Sequence, residues 1–120
     1  TPGHTDDSLS FRVGTNVFTG DALFIRGSGR TDFQNGDPAQ LFDSITRVLF
    51  ALPDATTVWP GHDYKGMSSS TIGEEKRLNP RIAGNTREQF IDIMNNLNLA
   101  APRKLAESVP ANLSCGRISN

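Results

Sequence analysis

The sequence predicts a layered α/β fold, a small sheet that needs helices packed over it. Three observations carry this prediction. An alternating apolar hairpin stands near the start, and a long stripe of apolar residues at helical spacing fills the middle. A short β-branched strand follows, with two helix-start signals behind it. The order reads ββ, α, β, α, α, and 120 residues fit one domain with a modest core.

"SLSFRV" places Leu9, Phe11 and Val13 on one face, "GTN" turns, and "VFTG" returns, so residues 8–19 read as a β-hairpin. "DPAQLFDSITRVLFALP" reads as a helix with Asp37 as N-cap, Pro38 at the first helical position and Pro53 as the stop. Its apolar stripe comprises Leu41, Phe42, Ile45, Val48, Leu49 and Leu52. "TTVW" is a short strand closed by Pro60-Gly61, and the loop "GHDYKGMSSS" follows. Thr71 with Glu74 offers a capping box for a short helix ending at Asn79-Pro80. Thr86 with Gln89 repeats the device for a helix that buries Phe90, Ile91, Met94 and Leu97. After Pro102 the pattern fades into an irregular tail with one helical turn near Leu105.

Composition excludes several classes. With 36% hydrophobic residues, 21% charged and a net charge of −1, the chain has no basic stripe for nucleic acid. No apolar run approaches membrane-span length, so no membrane partner is expected. A single cysteine, Cys115, cannot form an internal disulfide and is expected to be a small buried hydrophobe. The sequon Asn112-Leu113-Ser114 carries little weight, and the chain reads as a soluble intracellular protein.

The two histidines, His4 and His62, each follow Pro-Gly, and Asp21 follows the returning strand of the hairpin. All three lie at strand or turn junctions, where rigid scaffolds present functional groups. Two histidines and a carboxylate match the facial triad of a non-haem Fe(II) site and also part of a zinc set. The spacing does not choose between them. The plainer alternative makes the histidines surface hydrogen-bonding groups and Asp21 a turn former. "RGSGR" lacks the third glycine and the Lys-Ser/Thr of nucleotide loops. Its glycines let the backbone pass close to something, and Arg26 or Arg30 offers a guanidinium fork to a carboxylate. Tyr64 in "GHDY" and Arg81 in "NPR" are further candidate donors.

"TPGHT", "FTGDALFIRGSGRTDF", "PGHDY", "LNPR" and "VPANLSCG", in this order, resemble the C-terminal half of an αββα metallo-β-lactamase fold. Within that superfamily they are most similar to the persulfide dioxygenases. The resemblance covers residues 1–116 and implies oxidation of glutathione persulfide by O₂ to sulfite and glutathione, at one Fe(II) per complete domain. It implies that His4 and Asp21 are metal ligands, and that the third, a histidine, belongs to an HxHxDH motif in an N-terminal half absent from this chain. His62 matches the histidine that holds a second metal in dinuclear members. Persulfide dioxygenases normally leave that site empty, so His62 is expected near the iron but outside its coordination shell. Arg30, Tyr64 and Arg81 match the family's glutathione-binding positions. Ser28 departs from the cysteine of many relatives, which argues against thiol chemistry there.

The implied partners are glutathione persulfide, O₂ and the N-terminal half of the same domain, and the resemblance allows a homodimer. Alone, the chain is expected to be inactive. The implied location is the bacterial cytoplasm or the mitochondrial matrix. Two alternatives stand beside this. One is a glyoxalase II-type hydrolase, in which Asp21 bridges two metals and His62 is a ligand. The other is a non-catalytic interaction module with its open half-sheet covered by a partner.

Overall fold

In the computed structural model, which describes residues 1–117, the predicted hairpin forms from β1 (Phe11–Val13) and β2 (Asn16–Gly20), paired antiparallel. The chain then crosses over through α1 (Pro38–Asp43) to β3 (Thr57–Pro60), which lies parallel to β2. The loop after β3 ends in a short fourth strand, β4 (Ser70–Thr71), antiparallel to β3. The described residues thus form one sheet in the order β1-β2-β3-β4. Three further helices follow: α2 (Ile72–Leu78), α3 (Arg87–Asn95) and α4 (Leu105–Leu113).

The helix caps follow the sequence signals. Asp37 accepts from the backbone N–H groups of Ala39 and Gln40, with Pro38 behind it. The Thr86–Gln89 capping box is complete. The Thr71 box is half-formed: its hydroxyl accepts from Glu74 N, but the Glu74 carboxylate takes a hydrogen bond from Ser70 Oγ at 2.8 Å. The long middle helix is not uniform. After α1 the chain widens into π-helical geometry over Ser44–Val48 and tightens into a 3₁₀ turn over Leu49–Ala51. The wider turn keeps Leu41, Ile45 and Leu49 on the core side at intervals of four residues. Val48, expected in the buried stripe, is rotated out and 55% exposed.

One face of the sheet, through Val17 and Val58, packs with Leu41, Ile45, Leu49, Ile72 and Phe90 into the core. The other face is open. Phe11 pairs with Phe18, and Phe18 with Trp59, so three aromatic side chains form one row across β1, β2 and β3. Leu9, Phe11, Val13 and Phe18 are all exposed there. Two expectations for the C-terminal part are overturned. The tail after Pro102 holds a nine-residue helix, α4, rather than a single turn. Cys115 is exposed, just past the end of α4, a helix that buries no side chain among the described residues. No helix among the described residues is long and apolar enough to cross a membrane.

Candidate metal centre

Asp21 follows β2 directly, and the parallel neighbour β3 ends at Pro60, so His62 emerges beside it. Gly61 N donates to Gly20 O at 2.8 Å, which ties the two strand ends together. A Cβ on residue 61 would crowd Asp21 Oδ1 at 2.8 Å and the Gly20 carbonyl carbon at 3.0 Å, so a side chain there would push the carboxylate aside. Gly29 is under the same constraint from the other side: its Cβ would fall 2.0 Å from Asp21 O and 3.0 Å from His4 Nδ1. Of the two glycines of the "RGSGR" loop, Gly29 therefore gives the chain room to pass Asp21, as the sequence suggests, while a Cβ on Gly27 would make only ordinary contacts at 3.8 Å or more.

The structure brings His4, Asp21 and His62 together. His4 Nε2 stands 3.4 Å from Asp21 Oδ2, and His62 Nδ1 donates to Asp21 Oδ1 at 2.6 Å. On its other side, His4 Nδ1 donates to the main-chain carbonyl of Arg30 at 2.6 Å. A carbonyl can only accept, so in the neutral imidazole the lone pair sits on Nε2, aimed at a carboxylate oxygen. Two lone-pair donors facing each other at this separation are a donor set suited to a cation. Among the described residues, no group of three His, Cys, Asp or Glu side chains converges on one point. His4 and Asp21 could hold part of a coordination sphere, not all of it.

A cavity of about 610 Å³ opens over this pair, lined by His4, Asp21, His62, Arg30, Tyr64 and Arg81 together with Phe24, Phe33, Leu99 and Leu105. The three candidate substrate donors sit in different environments. Tyr64 is 79% exposed, with its ring stacked on His62 at 6.0 Å between centroids. Arg81 is half-buried and donates to Ser28 O at 2.6 Å and to Ser28 Oγ at 3.2 Å. No carboxylate among the described residues pairs with it, and burial lowers its pKa from the ordinary arginine value. Arg30 has its fork closed on the carboxylate of Asp32, Nε to Oδ1 at 2.6 Å and Nη2 to Oδ2 at 2.8 Å. That pairing raises the pKa of Arg30 and holds the Asp32 carboxyl below the usual range.

Arg26, the other loop arginine, takes no part in the cavity wall around the pair. Its guanidinium is ion-paired to Glu75, whose side chain is fully buried, and its backbone N–H donates to Glu75 Oε1 at 2.7 Å. Ser70 Oγ and Asn79 Nδ2 complete the carboxylate's shell at 2.5 and 3.1 Å, and Asn79 also donates to Gly27 O at 3.0 Å. This brace pins the loop that carries Asp21 to α2, and it accounts for Arg26 tolerating a left-handed backbone (φ 60°). Sequence inspection missed Glu75 because its partner lies 49 residues away. It also missed the aromatic wall of Phe24 and Phe33, whose signal is only that both phenylalanines flank the glycine loop.

A family model described as the metallo-beta-lactamase superfamily matches residues 1–62. The mitochondrial persulfide dioxygenase ETHE1 of Mus musculus is 46% identical over 117 residues, covering 96% of this chain and 46% of the relative. The crystal structure of ETHE1 from Myxococcus xanthus superposes with a TM-score of 0.94 at 64% identity, covering 98% of this chain and 52% of that one. TTHA1623 in a di-iron-bound form matches at TM-score 0.59 and 42% identity, over 66% of this chain and 38% of that one. The chain thus spans about half the length of the curated persulfide dioxygenases it matches. With an α/β layer that follows these structures and a family model matched over half its residues, the chain belongs to the metallo-β-lactamase superfamily, and within it is similar to the persulfide dioxygenases.

Proposed function

We propose that this chain supplies the C-terminal half of a persulfide dioxygenase that oxidises glutathione persulfide with O₂ and water to sulfite and glutathione, at one Fe(II) per complete domain. The observation that carries this is the His4–Asp21 pair, with Nε2 and Oδ2 facing each other at 3.4 Å and the imidazole fixed from behind by a carbonyl. Bound iron would activate O₂ and relay to it the four electrons that the outer sulfur gives up on becoming sulfite. His4 and Asp21 would hold it, with a third ligand from the N-terminal half. That half would also cover the aromatic row of Phe11, Phe18 and Trp59 and complete the αββα sandwich.

The remaining residues bind and orient. Arg81 offers a desolvated guanidinium without a carboxylate partner among the described residues, and a peptide carboxylate would satisfy it. Tyr64 stands at the cavity mouth with its hydroxyl in reach of a ligand's polar groups. Phe24, Phe33 and Leu105 exclude water around the thiol end. The mitochondrial names of the mammalian relatives support the mitochondrial matrix or its bacterial cytoplasmic equivalent as the site of action.

One observation favours a second reading. Each carboxylate oxygen of Asp21 faces a different histidine, Oδ2 toward His4 and Oδ1 toward His62. A bridging carboxylate in a dinuclear thioester hydrolase of the glyoxalase II type would be placed this way, and TTHA1623 is described with two irons. Metal analysis of the full-length protein separates the two: one iron supports the dioxygenase, and two metals per chain support the hydrolase.

A further inference from the structure

We infer that Arg30 is a positioning residue rather than a substrate donor: one residue fixes the metal-facing histidine through its carbonyl and the cavity wall through its side chain. The inference rests on the reading of His4 as a metal ligand.

The main-chain carbonyl of Arg30 accepts from His4 Nδ1 at 2.6 Å, which sets the tautomer and the ring direction. Its guanidinium reaches the other way. Nη1 donates to Ala100 O at 2.7 Å and Nη2 to Leu99 O at 3.3 Å, across some seventy residues of chain. Residues 96–104, between α3 and α4, contain no regular element, and their other hydrogen bonds among the described residues are local: Asn96 to Ile93 and Asp92, Asn98 to Asn96, Leu105 to Pro102, and Glu107 and Ser108 to Lys104. Among the described residues, Arg30 thus supplies the long-range hydrogen bonds of this segment. Leu99, Ala100, Pro102 and Leu105 from the segment and its end line the cavity above His4 and Asp21.

All three guanidinium nitrogens are engaged. Asp32 takes Nε and Nη2 bidentately, and the ring of Phe33 lies 4.3 Å from Cζ. A fork held in this way is rigid and largely unavailable to a ligand carboxylate. Asp32 makes no hydrogen bond to His4 or Asp21 and does not line the cavity over them, although it lies near enough to His4 to feel its charge, and it sets the direction of the guanidinium that ties the wall.

Asp32→Ala in the full-length protein separates the two roles. A substrate-binding Arg30 released from Asp32 would bind anionic substrate as well as before or better. A positioning Arg30 would lose its direction, loosening the wall and, through the carbonyl, His4. The expected result is a rise of about 10-fold in KM for glutathione persulfide, the loss of roughly one charge-assisted hydrogen bond. It should come with an altered d–d absorption of Co(II) bound in place of the native metal, and a Co(II) Kd raised by about 10-fold. Arg30→Lys, which keeps the charge and loses the fork, should behave alike, and the double variant should be no worse than the poorer single one. A KM that is unchanged or lower, with an unchanged Co(II) spectrum, would overturn the inference. If wild-type protein binds Co(II) but does not turn over the persulfide, the proposed function fails, and the Co(II) spectra of the variants still decide the role of Arg30. If wild-type protein binds no Co(II), both fail.

Discussion

Arg81 sits half-buried in the cavity wall, bonded to Ser28 and with no carboxylate among the described residues to meet its charge. Arg81→Ala should therefore raise KM for glutathione persulfide by about 10- to 100-fold, the range for a charge-assisted hydrogen bond. Metal content should stay unchanged, which elemental analysis of the purified variant checks. His4→Ala should act oppositely, weakening metal binding by more than about 100-fold, since removing a ligand exceeds the loss of one of its supporting partners. These residues were legible in the sequence because chemistry marks them: histidine after Pro-Gly and aspartate at a strand end. What the sequence could not show was which arginine does what. Arg26, Arg30 and Arg81 look alike along the chain. They differ only through Glu75, Asp32 and the lack of a carboxylate partner, which folding decides.

At the scale of elements, the loop between β2 and α1 is held by a buried ion pair and by glycines that admit no side chain. Glu75→Gln leaves Arg26 with only the Glu74 carboxylate, 3.5 Å away, and should destabilise the domain by about 1–3 kcal/mol, read by denaturant unfolding of the full-length protein. Gly29→Ala would force a Cβ against Asp21 O, so a loss of about 3 kcal/mol or more is expected together with loss of metal binding. Surface carboxylates add a pH dependence. Asp43 is held below its ordinary pKa by the hydrogen bond from Arg87, Asp54 by that from Lys76, and Asp63 by the backbone N–H of Met67. Depressed carboxylates stabilise the fold above their unfolded pKa, and that contribution fades as pH falls through the folded values. Thermal midpoints should therefore decline below about pH 4, and salt should shrink the effect. Helix starts were readable from Asp37, Thr71 and Thr86. The shift of Val48 outward was not, because no residue type announces a π-turn. Nor was α4: Leu105, Val109 and Leu113 do stand four residues apart, but no side chain caps the helix start and Pro110 inside it argues against a helix.

At the scale of the molecule, one face of the sheet is uncovered among the described residues. Its inner face packs on Leu41, Ile45 and Phe90, while Phe11, Phe18 and Trp59 form an exposed aromatic row on the outer one. The sequence showed that Leu9, Phe11 and Val13 share a face but not that the face is uncovered, since burial depends on what packs against it. An apolar surface of this kind favours association, and the 120-residue chain expressed alone should self-associate, as sedimentation would show. The central claim is that His4 and Asp21 would hold one iron at which O₂ oxidises a persulfide. The most direct test is iron stoichiometry with oxygen uptake on the full-length protein, loaded anaerobically with Fe(II) and given glutathione persulfide. The account predicts one iron per chain and uptake of one O₂ per sulfite formed. Two metals per chain, with no oxygen uptake and hydrolysis of a glutathione thioester, would contradict it.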